Sequence, residues 1–230
     1  MQMRLQKYIA QCGYCSRRRA ETMIEHGHVR VNGEIATIGM DVDPEKDKIL
    51  VNGQYLKPEK KIYLMLNKPK GYITTASDPY GRKNVVQLVH ESKRVVPVGR
   101  LDRGTTGLIF LSNDGDFTNR ITHPRYEVKK TYEATLDKRL EDEDLIRMNA
   151  GVIIDGKRIN AKVRKLAPAR ASVTIHTGLN KEVKRIFKKF GYWVKDLRRT
   201  EINGVKLDVK EGKYRHLHAS EVKKLIGESL

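Results

Sequence analysis

The stretch from Gly99 to Asp116 constrains this chain more than any other segment. It begins Gly-Arg-Leu-Asp-Arg-Gly-Thr-Thr-Gly, runs on through Leu108, Ile109, Phe110 and Leu111, and closes with Ser-Asn-Asp-Gly-Asp. Glycines at 99, 104 and 107 let the backbone turn tightly or approach another group closely. The short apolar run after them fits a buried strand. A single acid, Asp102, therefore stands between Arg100 and Arg103 in a loop at the edge of that strand. Nearby positive charge keeps a carboxylate ionised by lowering its pKa. That setting suits a nucleophile or a base. Taken alone, such an aspartate reads better as part of a salt-bridged loop.

Charge narrows the partners. The chain has 230 residues, 39% of them apolar, which is enough for one core with a small extra module or for two domains. Its formal net charge is +18, well beyond what solubility needs. Such an excess favours a polyanion, through phosphate neutralisation and counterion release. Nucleic acid is the first expectation and an anionic membrane surface the second. No apolar run approaches the ~20 residues needed to span a bilayer, and residues 1–7 carry no apolar signal region. A cytoplasmic protein without membrane association is expected.

Residues 1–60 read as a separate small module. Leu5, Tyr8 and Ile9 follow helical spacing up to Gly13, and Ser16 is a suitable N-cap for a second helix that Gly27 closes. Short strand-like runs follow, with Asn-Gly turns at Asn32-Gly33 and Asn52-Gly53. Arg17, Arg18 and Arg19 occupy the first turn of the second helix, where cations oppose the helix dipole. They suit phosphate contacts better than stability. Cys12 and Cys15 lack the second ligand pair of a structural zinc site and are expected to pack between helices. His26, His28, His216 and His218 read as ordinary loop or strand histidines.

The linker is placed at the polar, proline-containing residues 57–61, and residues 61–230 form the second domain. Apolar runs at 63–66, 95–98, 108–111, 132–136 and 173–175 alternate with helical stretches at 84–89, 116–121 and 141–148. That mixture predicts an α+β domain with a mostly antiparallel sheet. Further on, Val183, Ile186, Phe187 and Phe190 share one apolar helix face. Lys181, Lys184, Arg185 and Lys188 form a cationic stripe beside it. Asn180 is the expected N-cap and Gly191 the stop.

Three segments together resemble the bacterial pseudouridine synthases of ribosomal RNA, the group that contains RsuA, RluB, RluE and RluF. The Gly-Arg-Leu-Asp segment is similar to the family signature, whose acid is essential for catalysis and corresponds to Asp102. Residues 178–186 are similar to the family's C-terminal motif, whose first basic residue, here Lys184, contacts that acid, with Arg185 as the alternative. The motif departs from the usual pattern at Glu182, where glutamine is usual, and at Lys181, usually Arg or His. Lys129-Lys130-Thr131-Tyr132 resembles a Lys-x-Tyr motif whose tyrosine stacks near the target base. Arg100 corresponds to a residue that can fill the gap left by an extruded base. The two helices and hairpins of residues 1–60 look like an S4 RNA-binding domain. The resemblance extends from Leu5 to Leu217 and is strongest to the RluF type, with RluB the near alternative.

What the resemblance implies is an enzyme that turns a uridine of ribosomal RNA, 23S above all, into pseudouridine without cofactor or metal, acting as a monomer. Asp102, Tyr132 and Lys184 would be catalytic. Arg100, Asn180, Arg185, Arg17, Arg18 and Arg19 would bind RNA. Two rivals remain at this stage: a non-catalytic S4-type RNA-binding protein, and a metal-dependent phosphodiesterase using Asp102, Asp114 and Asp116.

Overall fold

The computed structural model describes residues 2–227 and divides into two compact units, residues 1–61 with 92–94, and residues 62–91 with 95–230. The first unit opens with β1 (Met3–Arg4), α1 (Leu5–Gln11) and α2 (Arg17–Glu25). The Ser16 side chain accepts from the Arg19 amide and starts α2. Then come β2 (Val29–Val31), β3 (Glu34–Ile35), β4 (Asp41–Val42), β5 (Ile49–Val51) and β6 (Gln54–Tyr55). Asn32-Gly33 and Asn52-Gly53 turn β2 into β3 and β5 into β6, all four residues having positive φ. Leu5, Ile9, Ala20, Ile24, Val29 and Val51 form the core. Cys12 and Cys15 pack beside it as free thiols, and burial pushes Cys12 up to about 11. Arg17, Arg18 and Arg19 are exposed.

The second unit is built on one sheet, nine-stranded among the described residues. Its elements are β7 (Tyr63–Lys68), β8 (Val96–Val98), β9 (Thr106–Ser112), α3 (Gly115–Thr122), β10 (Lys130–Leu136) and α4 (Asp142–Asn149), then the hairpin β11 (Val152–Ile154) and β12 (Lys157–Ile159). They continue with β13 (Lys162–Ala167), β14 (Arg170–Ile175), α5 (Glu182–Lys189), β15 (Val194–Ile202), β16 (Val205–Lys206), β17 (Tyr214–His216) and α6 (Ala219–Ile226). The central order is β13-β14-β10-β15-β9-β7-β17, antiparallel except where β15 runs parallel to β9. The 84–89 stretch forms only a short 3-10 turn, Val85–Leu88, capped by Asn84.

Both faces of the sheet are covered, which explains the uninterrupted apolar run in β9. Leu108 and Phe110 pack with Phe117 of α3 and Leu225 of α6. Ile109 and Leu111, pointing the other way, pack in the cluster that holds Val183, Ile186 and Phe187 of α5. Successive side chains of a strand face opposite sides, so a strand buried on both has no polar position to alternate with. α5 buries the face that its spacing predicts. Its start differs from expectation. Lys181, in a left-handed conformation, is the N-cap, and Glu182 at the first helical position accepts from the Leu179 amide and the Thr177 hydroxyl. No side chain caps α5; the Glu182 carboxylate instead holds the loop that leads into the helix.

Candidate active site

The loop between β8 and β9 is pinned from beneath. Thr74 Oγ1 donates to the Leu101 carbonyl at 2.8 Å and accepts from the Leu101 amide at 3.2 Å. The Gly71 amide donates to the Arg103 carbonyl at 2.9 Å. Thr105 closes a tight turn through its amide to the Asp102 carbonyl at 3.0 Å. Leu101 and Thr105 are buried, while Asp102 between them is exposed. Two buried anchors therefore present one free carboxylate. It opens onto a cavity of about 530 Å³, within the usual size of a small-molecule site.

The opposite wall comes from β10 and β15, whose register sets Tyr132 beside Arg199. Both line the cavity. Arg199 is 3% exposed. Its Nε donates to the Leu108 carbonyl at 2.7 Å and its Nη1 to the Tyr132 hydroxyl at 3.4 Å. Its guanidinium carbon stands 5.9 Å from the Tyr132 ring centroid. Lys130 is held below the usual lysine range by burial first and by Arg199 second, with Glu182 acting against them. Residues 177–183 close the remaining side of the cavity.

Residues 62–215 match the family model described as RNA pseudouridylate synthase, more than half of the chain, and residues 3–49 match that of the S4 domain. This chain belongs to the RNA pseudouridylate synthase family. It is 44% identical over 225 residues to the dual-specificity RNA pseudouridine synthase RluF of Escherichia coli O6:H1, covering 96% of this chain and 77% of that one. To the ribosomal large subunit pseudouridine synthase B of Bacillus subtilis it is 40% identical over 233 residues, covering 96% and 95%. A solved structure described as a pseudouridylate synthase superposes with a TM-score of 0.71 at 34% identity, covering 97% of this chain and 99% of that one. An N-terminal S4 domain and a pseudouridine synthase domain make up this α+β chain.

In this pseudouridylate synthase the cavity gathers Asp102, Arg100, Tyr132 and Asn180. It does not gather the cations expected to hold the acid. Arg185 is bound to Asp155 on the turn between β11 and β12, away from the cavity lining. Lys184 is half-buried and does not line the cavity either. Asp102 has no ion-pair partner among the described residues. Asp114, a candidate metal ligand in the phosphodiesterase reading, instead caps α3 through the amides of Asp116 and Phe117 and accepts from the Tyr63 hydroxyl. No group of three or more His, Cys, Asp or Glu is arranged for a metal among the described residues.

Lys68, like Arg199, is a residue of the site that sequence reasoning missed. It ends β7 fully buried, and its Nζ donates to the carbonyls of Thr105 at 2.8 Å, Pro69 at 3.1 Å and Arg103 at 3.4 Å. It thus ties down the turn that follows Asp102. Burial lowers its pKa to about 8, against the opposing pull of the Asp102 and Glu211 charges. A lysine at the end of an apolar strand, directly before Pro69, was the available signal.

The lowered pKa has a testable sign. The unfolded chain binds the Lys68 proton more tightly than the folded one, so stability rises with pH between the two values. Relative to Lys68→Met, the native protein should gain stability from pH about 8 to about 10.5, by up to ~3 kcal/mol. Below pH 8 the difference should be flat. Urea unfolding of both proteins across that range checks it, and parallel curves throughout would contradict the assignment.

Proposed function

We propose that this synthase isomerises a uridine of large-subunit ribosomal RNA to pseudouridine, with Asp102 acting on the sugar and Tyr132 serving the base. The carrying observation is one carboxylate, presented by a doubly anchored loop into a cavity whose far wall is a tyrosine backed by a buried arginine. Two relatives support the RNA class through their names: one is a large ribosomal subunit enzyme, the other a dual-specificity one. Activity in the cytoplasm follows from that substrate. No described helix is long and apolar enough to cross a membrane.

The reaction breaks the N1–C1′ bond, turns the uracil and forms a C5–C1′ bond; the C5 proton leaves at the end and N1, freed from the sugar, takes one up. No redox change occurs. The target must first be extruded from its stack, at a cost of a few kcal/mol, and phosphate contacts to a chain of net charge +18 supply it. Arg100, exposed on the cavity rim, fits the gap left in the stack. Asp102 acts at C1′ as nucleophile or at C2′ as base, on a turn whose backbone carbonyls buried Lys68 holds. Tyr132 stacks on the freed uracil and assists removal of the C5 proton, its hydroxyl oriented by Arg199.

The test is to incubate the protein with ribosomal RNA from cells lacking it and to map pseudouridines. New modification at a defined large-subunit uridine is expected. Cleaved RNA, or none modified, would overturn the reading. In the S4 domain, Arg17, Arg18 and Arg19 replaced together by alanine should reduce the salt dependence of RNA binding by up to about three phosphate contacts. An unchanged slope would place this basic turn off the RNA.

A further inference from the structure

The lysine stripe that starts at the cavity continues beyond it. Lys181 lines the cavity at the N-cap of α5, and Lys184 and Lys188 follow on the helix. From Lys181 to Lys188 the helix rises about 10 Å. There the Lys188 Nζ stands 5.5 Å from the centroid of the Trp193 ring. Trp193 is the sole tryptophan of the chain and is 66% exposed, although tryptophan is normally well buried.

Its exposure is not that of a loose loop. The Trp193 amide donates to Asp137 Oδ1 at 2.8 Å, and its carbonyl accepts from the Asp137 amide at 3.0 Å. The preceding Tyr192 is buried, its hydroxyl donating to Asp144 at 2.7 Å and accepting from the Glu141 amide at 3.1 Å. The indole is therefore held out on a fixed backbone. Its surroundings are cationic: Lys188 stands over the ring, and Lys138 holds its Nζ 4.8 Å from the centroid of the neighbouring Tyr192. The neighbouring acids are engaged, Asp137 by the Trp193 amide and Asp196 by Lys70.

We propose that Trp193 and Lys188 form a stacking platform for an unpaired nucleobase of the RNA strand that leaves the cavity along α5. This rests on the RNA-modifying reading given above. An aromatic face takes any base, because every base has a π-face. Adjacent ammonium groups neutralise the phosphates that flank it. A ring with one lysine over it and a second over the tyrosine beside it suits a polyanion. An apolar protein surface would leave those charges desolvated and unpaired.

Since Trp193 is the only tryptophan, its fluorescence reports the site directly. The probes are a ribosomal RNA hairpin carrying single-stranded flanks and the same hairpin trimmed to its stem-loop. Saturable quenching is expected with the flanked RNA and little with the trimmed one. Trp193→Ala should weaken binding of the flanked RNA by about five- to a hundred-fold and leave the trimmed RNA's affinity unchanged. Trp193→Phe should keep most of the affinity. Lys188→Gln should lower the salt slope by about one phosphate contact. Equal quenching by both RNAs, or equal affinity of Trp193→Ala for the flanked RNA, would overturn the platform. So would RNA-free dimerisation that Trp193→Ala abolishes, because the ring would then serve a second copy. Failure of uridine isomerisation would sink the catalytic reading and leave these binding measurements intact.

Discussion

Asp102→Asn is expected to abolish pseudouridine formation, by more than about 10⁴-fold, while RNA affinity and fold persist. An amide keeps the size and much of the hydrogen-bonding capacity of the acid. It neither attacks C1′ nor takes a proton from C2′. The fold should tolerate it, because the side chain is exposed and forms no ion pair. The anchors of its loop are backbone groups, the Leu101, Arg103 and Thr105 carbonyls. One secondary effect has a definite sign. Asp102 raises the Lys68 pKa, so removing its charge should move that pKa further down from about 8. Product analysis, RNA binding and circular dichroism measured together decide the matter. A folded Asp102→Asn protein that isomerises uridine at near-normal rate would remove the catalytic assignment.

Gly107→Ala should cost the fold more than any other single methyl group considered for this loop. Gly107 has φ of +99°, a region that side-chain-bearing residues rarely adopt. A Cβ there would lie 2.2 Å from the Arg199 carbonyl oxygen and 2.8 Å from the Arg199 amide nitrogen. Both are backbone atoms of the parallel neighbour, paired in register with Gly107. No side chain can rotate away to relieve that clash. The β9–β15 contact would have to open, and β15 is the strand that carries Arg199 to Tyr132. Destabilisation above about 4 kcal/mol, or failure to accumulate folded protein, is expected. Gly104→Ala is the control, since nothing lies within 4 Å of its Cβ position. It should stay within about 0.5 kcal/mol. Urea unfolding of both variants tests the contrast, and a native-like Gly107→Ala protein would refute it.

Some features were legible in the residues because their causes lie a few positions away. The Asn-Gly turns need only two residues with positive φ. Ser16 reaches the Arg19 amide within one turn of α2. The apolar spacing of Val183, Ile186 and Phe187 named the buried face of α5. The Asp102 loop could be read too, because its glycines, its acid and the strand after it are contiguous. Where a local rule met a competitor, it lost. Asn180 had the right chemistry for an N-cap, but Lys181 in a left-handed conformation holds that position.

The sequence by itself determined the two-part organisation, the sheet-rich second domain and the acid that faces the cavity. Only the tertiary structure decided which cation reaches the turn that carries that acid. The chain has 46 lysines and arginines, and helical periodicity says which of them share a face without saying where that face points. Arg185 turns to Asp155, thirty residues earlier in the chain. Lys68 comes to the Asp102 turn from more than thirty residues away because β7 pairs with β9 and ends beneath it. Arg199 meets Tyr132 across 67 residues through the register of β10 and β15. The Lys68 and Arg199 partners are set by strand register, and register follows from burying both sheet faces at once, a condition on the whole fold that no local window of residues contains.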